Sequence, residues 1–189
     1  MITGLEKIWK FEVRFDLSNK KYIAILGFLG NDRKINIPKS IYVNYEEINV
    51  TTIEDNAFAD CTDLTSITIP ASVTTIGDDA FARCYNLTSI IIPSSVVAIG
   101  DCAFVDCFEL TSVTIPASVT SVGSSAFCEG SYNVYYDNTG IPSTWKDDWK
   151  DEFEGKFYIK SDTMPISTPN ESNIDGYWHY VNGKPEVLI

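Results

Sequence analysis

A β-dominated solenoid, a stack of similar coils closed at each end by a cap, is the fold this sequence predicts. Three observations carry that expectation. Leu64–Asn86, Leu87–Glu109 and Leu110–Gly130 align without a gap, and residue types return every 23 positions: Leu64, Leu87, Leu110; Pro70, Pro93, Pro116; Phe81, Phe104, Phe127. A half copy precedes them, because Val50, Ile53, Ala57, Phe58 and Cys61 each stand one period before Val73, Ile76, Ala80, Phe81 and Cys84. Self-similarity at such a period means one supersecondary unit per repeat, stacked on its neighbours. Outside 50–130 the period fails, and strand and turn patterns appear instead that suit covers for the apolar coil ends.

Within a repeat, L-x-x-[IV]-x-[IV]-P reads as a strand. Leu64, Ile67 and Ile69 face inward, Ser66 and Thr68 face outward, and the proline removes a donor and stops the ladder. Val73 and Ile76 start a second inward column, continued by Val96, Ile99, Val119 and Val122. Gly77, Gly100 and Gly123 turn the chain into D-x-A-F, read as a short helical turn with alanine and phenylalanine inward. Asp55, Asp78 and Asp101 share one column, so coils about 4.8 Å apart stack like charges. A cation could relieve this, or each aspartate could cap its own turn. Ser124 holds the same place in the last repeat, and serine is a good cap but a poor calcium ligand; capping is the expectation.

Cys61, Cys84 and Cys107 also share a column and read as small buried hydrophobes. Cys102, aligned with Asp79 and Ser125, reads as an exposed thiol. Zinc needs close ligand spacings, and this chain has none and one histidine, His179. No metal and no cofactor is expected.

The flanks follow in order. Phe11, Val13 and Phe15 alternate with charged residues, a half-buried strand. Leu17–Lys20 turns it into a return strand at Tyr22–Leu29, and Lys34–Ile37 makes a third. Residues 1–49 are therefore a β-meander cap. It carries an insertion around Tyr42–Ile48, since Pro38 and Pro70 stand farther apart than one period. Residues 131–189 form a Trp-rich cap on the same single domain, 1–189. In it Asn133–Asp137 is the last strand of the stack, with Val134 and Tyr136 inward. Trp145, Trp149 and Phe153 share a helix face ended by Gly155, and residues 161–173 form a loop. Asn182-Gly183 joins a hairpin.

The motif L-x-x-I-x-I-P-x-x-V-x-x-I-G-x-x-A-F-x-x-C resembles the repeat of BspA-like leucine-rich-repeat proteins, the Treponema pallidum-type class. The resemblance implies a right-handed leucine-rich-repeat solenoid with short helical turns. It further implies a bacterial or protist surface protein that adheres to a host or matrix protein through a concave sheet. Ser72, Ser95 and Ser118 stand where the generic repeat has Asn or Cys, so its asparagine ladder is missing; the phenylalanine and cysteine columns are expected to replace it. No signal-type segment opens the chain, which leaves an extracellular or surface place and a cytoplasmic one both open.

Charge narrows the partners. Residues 1–40 carry +4, residues 41–140 carry thirteen acids and one base, Arg83, and the remainder carries −4, for a net −12. An acidic body does not suit nucleic acid or anionic membrane surfaces, and no apolar run approaches the roughly 18 residues of a span. No G-x-S-x-G, P-loop or H-E-x-x-H occurs, and acids beside Trp145 and Trp149 read as a solvated face, not a glycosidase pair. A non-enzymatic protein–protein recognition or adhesion module is expected, of undetermined oligomeric state. Its binding residues are Ser66, Thr68, Ser89, Ile91, Ser112 and Thr114. Five such strands present only about 400 Å². The alternative is a carbohydrate or cell-wall module using Trp145, Trp149, Trp178 and Tyr180, because Gly176–Gly183 faintly resembles a choline-binding repeat.

Overall fold

The computed structural model describes residues 9–138, 140–150, 155–160, 176–181 and 184–188. The loop expected at 161–173, Phe153, Asn182-Gly183 and the side chains of Trp178, His179 and Tyr180 lie outside the described residues. Strands β1 (Trp9–Phe15) and β2 (Lys21–Phe28) pair antiparallel as expected. Asp16 Oδ1 closes their turn by accepting the N–H groups of Ser18 and Lys20, a local carbonyl mimic typical of Asx turns. Phe15, expected inward, is instead 55% exposed. It pairs with Lys21, beyond the Ile23–Ile25 stretch where β2 is covered by the next strand of its sheet.

The third strand, β3 (Lys34–Asn36), does not extend a meander. It is the first strand of the coil stack, parallel to the strand at 66–68, with Lys34 beside Ser66 and Asn36 beside Thr68. The insertion that follows is a β-hairpin, β4 (Ser40–Val43) and β5 (Glu46–Ile53). Asn44 and Tyr45 both take positive φ at its tip, the requirement of a type I′ turn.

The coils then alternate between two faces. β6 (Ser66–Thr68) is followed by β7 (Thr75–Ile76), β8 (Ser89–Ile91) by β9 (Ala98–Ile99), and β10 (Ser112–Ile115) by β11 (Ser121–Val122). One face is a seven-stranded sheet running β1-β2-β5-β7-β9-β11, with β4 alongside β5. The other carries β3, β6 and β8, and then β10. Stacking does not end at Asp137. β12 (Asn133–Tyr136) lies parallel to β10, β13 (Phe157–Lys160) parallel to β12, and β14 (Gly176–Val181) parallel to β13, with β15 (Lys184–Leu188) closing a hairpin. The structure is a solenoid of about six turns.

One core runs its whole length. Phe58, Phe81, Phe104 and Phe127 are fully buried and stack ring on ring, each centroid 5.3 Å from the next and the planes within 10° of parallel. The column is sealed edge-on at both ends, by Trp9 against Phe58 at 6.2 Å and by Trp149 against Phe127 at 5.9 Å. Such edge-to-face contacts suit the ring quadrupole, positive edge against negative face. Val73, Ile76, Val96, Ile99, Val119 and Val122 form the second inward column as expected.

No helix forms at D-x-A-F among the described residues. Asn56, Asp60, Asp79, Arg83, Cys102, Asp106, Ser125 and Glu129 take positive φ, a conformation that cannot propagate a right-handed helix. N–H groups of these turns point to the next coil instead: Asn56 to Asp78 C=O, Phe58 to Ala80 C=O, Asp60 to Ala82 C=O, with Asp79, Phe81 and Arg83 repeating the pattern one coil on. The aspartate column is corrected in the same sense. Asp55 Oδ1 accepts the N–H of Asp78, Asp78 that of Asp101, and Asp101 that of Ser124, each at 2.8 Å. Each carboxylate thus clips the following coil and does not cap its own. A Cβ on Gly77, Gly100 or Gly123 would collide with that carboxylate and with backbone atoms of the coil before, which is why these positions are glycine. At the asparagine positions themselves, Ser72 Oγ donates to Lys39 C=O at 3.2 Å and Ser95 Oγ to Val73 C=O at 2.6 Å, so serine hydroxyls also join the coils there.

The cysteine column joins coils as well. Cys84 Sγ donates to Phe58 C=O at 3.2 Å and Cys107 Sγ to Phe81 C=O at 3.3 Å. Gly130 ends the column, and a Cβ there would meet the Tyr132 ring. Burial pushes the Cys84 thiol far above its ordinary 9.0 and the Cys107 thiol up to about 12. At pH 8 a thiolate reagent such as DTNB is expected to label Cys84, Cys107 and Cys128 only after unfolding; rapid native labelling of Cys84 would contradict the burial. Because folding raises the Cys84 and Cys107 pKa values, their contribution to stability is complete below about pH 9 and is lost as the pH climbs toward 12.

Candidate recognition face

The six residues expected to face outward share one surface. Strand register puts Lys34, Ser66 and Ser89 in one row and Asn36, Thr68 and Ile91 in the next. The rows continue as Ser112–Asn133 and Thr114–Tyr135–Tyr158. Alternation along each strand turns Ile67, Ile90 and Val113 the other way, into the core. Thr68, Ser89 and Ile91 are exposed; Ser66, Ser112 and Thr114 are half-buried. Ile91, 79% exposed, is the one large apolar side chain the six contribute.

The face is interrupted in its middle. β6 ladders with β8 and β10 with β12, yet β8 and β10 lie side by side without joining. Below the break, Thr88 N–H and Oγ1 both donate to Thr65 C=O at 3.0 Å, and Thr65 N–H and Oγ1 donate to Arg33 C=O at 2.7 and 2.8 Å. A cleft of about 570 Å³ follows the break, lined by Ser89, Ile91, Ser94, Thr111, Ser112 and Thr114. Its chemistry is that of hydroxyls and the Asp137 carboxylate, which pairs with Lys160, around an exposed branched side chain, suited to an apolar side chain and its flanking peptide groups. Among the described residues no three His, Cys, Asp or Glu converge as a metal ligand set.

Two residues of this face were not expected. Tyr135 and Tyr158 stack at 5.3 Å with planes 15° apart and form a small cluster separate from the main core, 7% and 6% exposed. Asn133–Tyr136 repeats the in–out alternation of Ser112–Ile115, and that pattern would have placed Tyr135 in the Thr114 row.

The aromatic alternative meets a different geometry. Trp145 and Trp149 are 5% and 2% exposed. They pack against Tyr136 and Phe157 as well as Phe127, with centroids 4.7 to 5.9 Å apart in the tightest pairs. Residues 143–150 make turns where a helix was expected. These two rings close the core and offer no stacking face to a sugar. Trp178 and Tyr180 belong to β14.

A second, larger cleft of about 670 Å³ lies at the N-terminal end, where Phe15, Leu17 and Tyr22 face Glu46 and Glu47. Lys21 and Glu46 form an ion pair across it. Leu17 is fully exposed at the tip of the first hairpin.

The fold, a solenoid with a serine- and threonine-lined strand face, is that of a leucine-rich-repeat protein. The chain belongs to the BspA type leucine rich repeat family, which matches residues 33–148 in six copies. It is similar to a Treponema pallidum leucine-rich-repeat protein, at 22% identity and a TM-score of 0.63 over 80% of this chain and 68% of that one. A Bacteroides capillosus leucine-rich-repeat protein aligns at 22% identity and a TM-score of 0.55, covering 80% of this chain and 94% of its own. A leucine-rich cell surface protein of Faecalibacterium prausnitzii aligns at 25% identity and a TM-score of 0.54, over 86% of this chain and 55% of that one. Sequence comparison finds no relative among curated proteins.

Proposed function

We propose that the chain is a protein-recognition module of a cell surface, binding an extracellular or matrix protein through the face that carries Thr68, Ser89, Ile91, Ser112 and Thr114. The observation that supports this reading is Ile91, an aliphatic side chain 79% exposed beside a cleft on an otherwise hydroxyl-lined strand face. An isolated exposed apolar residue is ordinary; one set beside a cleft in the middle of a strand face is a ready anchor. A surface location is supported by the similarity to the leucine-rich cell surface protein of Faecalibacterium prausnitzii. The outward positions Ser66 and Thr68 extend the face toward β3.

Area sets a condition on the partner. Seven strands at about 4.8 Å and five residues of about 3.3 Å give roughly 550 Å², more than the five-strand figure but below the ~800 Å² per partner of a standard interface. A partner therefore also touches a flank of the coils. With a panel of purified matrix proteins, Ile91→Ser is expected to weaken capture about tenfold and leave the melting temperature unchanged, with a smaller loss for Thr68→Ala. Full capture by Ile91→Ser together with loss in Trp178→Ala would move the function to the C-terminal hairpin.

A further inference from the structure

On the flank where two coils enter β8 and β10, Tyr85 and Phe108 occupy the same repeat position and stack, centroids 5.6 Å apart and planes 4° from parallel. They stay 38% and 53% exposed. The equivalent positions one repeat before and one repeat after this pair hold Thr62 and Ser131. The stack is therefore two rings long, and each ring has a small residue at the repeat position beyond its outer face. This pair is separate from the buried phenylalanine column and adds nothing to it.

The charge around the ridge is predominantly negative. Asp106 and Glu109 flank Phe108 in its own coil, and Asp60 and Asp63 flank Thr62 in the coil before Tyr85. Arg83, the one base between residues 41 and 140, is engaged by Asp60 in a two-pronged pair, Nε to Oδ1 at 2.6 Å and Nη2 to Oδ2 at 3.0 Å. Pairing neutralises Arg83 and Asp60 alike, which leaves Asp63, Asp106 and Glu109 to set the sign of the field. What remains is an exposed aromatic stack in a negative field, which attracts cations through ring quadrupole and carboxylates together. The ridge also adjoins the interrupted strand face, since Glu109 N–H donates to Tyr85 C=O at 3.3 Å just before β10 begins.

We propose that the Tyr85–Phe108 ridge docks a basic, arginine- or lysine-bearing segment of a partner protein. The cationic side chain lies against an aromatic ring with Glu109 or Asp106 as its counter-charge, while phosphate-rich partners are repelled. The inference does not require the strand face to bind; where both bind, the ridge supplies the flank contact that the area demands.

The test is fluorescence anisotropy of a labelled hexa-arginine peptide with the full chain, against hexa-glutamate, at about 50 and about 300 mM salt. Hexa-arginine binding that weakens with salt is expected, with no hexa-glutamate binding. The double variant Tyr85→Ser/Phe108→Ser should lose about tenfold in affinity and Glu109→Gln a few-fold, while Ile91→Ser binds like the wild type. Tyr85→Leu/Phe108→Leu, which keeps apolar bulk but removes both rings, should show the same loss and guards against a folding defect. Equal binding by either double variant would assign the attraction to the acidic coils at large and overturn the proposal. So would no binding at the lower salt, or an equal loss in Ile91→Ser.

Discussion

Phe81→Ala is expected to lower stability by about 3–5 kcal/mol. At roughly 2–4 °C per kcal/mol for a chain of this size, that is a large fall in melting temperature. The ring is fully buried and lies between Phe58 and Phe104, each 5.3 Å away. Truncation removes its own buried area and leaves two neighbours facing a void that a rigid ladder on either side keeps from closing. Phe108→Ala is the matched control. That ring lies at a surface position, 53% exposed and stacked on Tyr85, so its loss should stay at about 1 kcal/mol, the order of one aromatic pair. Urea titration reads both: the Phe81 variant should show a lower midpoint at an unchanged slope. Equal midpoints for the two variants would mean that the stack does not hold the coils together.

Gly100→Ala is expected to cost about 1–3 kcal/mol, the range for forcing an extra carbon into a filled space. The added Cβ would strike the Asp78 carboxylate, the Asp78 backbone nitrogen and the Gly77 carbonyl carbon. A side chain could rotate away; the backbone of a laddered coil cannot. Gly140→Ala serves as the control, since a Cβ there meets nothing within 4 Å. Asp78→Ala should cost less, about 1 kcal/mol, because the Asp101 N–H it abandons lies at an exposed position where water substitutes. A Gly100 variant as stable as the Gly140 variant would remove the reason given for the glycine column.

How much of this was legible depends on what the repeat period reports. It reports inward columns, because burial constrains residue type in every coil alike. Phe58 through Phe127 and the Val and Ile columns were therefore plain. Pairing partners outside the period were not. Lys34 pairs with Ser66, well over one period further on, because the β4–β5 hairpin is inserted between them. Val134 follows Val113 by slightly less than one period, and Phe157 follows Val134 by a full period with a wholly different composition. β3 and β13 are therefore coil strands that sequence self-similarity does not flag, while β12 was legible from its own in–out alternation as a strand of the stack. The helical turn failed for another reason. D-x-A-F has good local helix chemistry, but its N–H groups are used by the next coil, and alternating left-handed residues are what point them there. The same competition redirected Asp55, Asp78 and Asp101 from capping to inter-coil clips. Trp145 and Trp149 were recognised as an end feature, while their burial depended on Tyr136, Phe127 and Phe157 arriving from elsewhere in the chain.

In the proposed function the strand face is the binding surface, and a partner that uses it also touches a neighbouring flank. Seven strands give too little area for a standard interface, and the Tyr85–Phe108 ridge is the place where a larger footprint would extend. A photo-crosslinking residue separates the two faces of the solenoid. Benzoylphenylalanine is placed at Ile91 on the strand face or at Val97, also exposed but between β8 and β9 near the seven-stranded sheet. After irradiation with any matrix protein that proves to be captured by the wild type in the panel above, covalent product is predicted from position 91 and not from position 97. Product from position 97 alone, or from neither position while binding persists, would contradict recognition through this face.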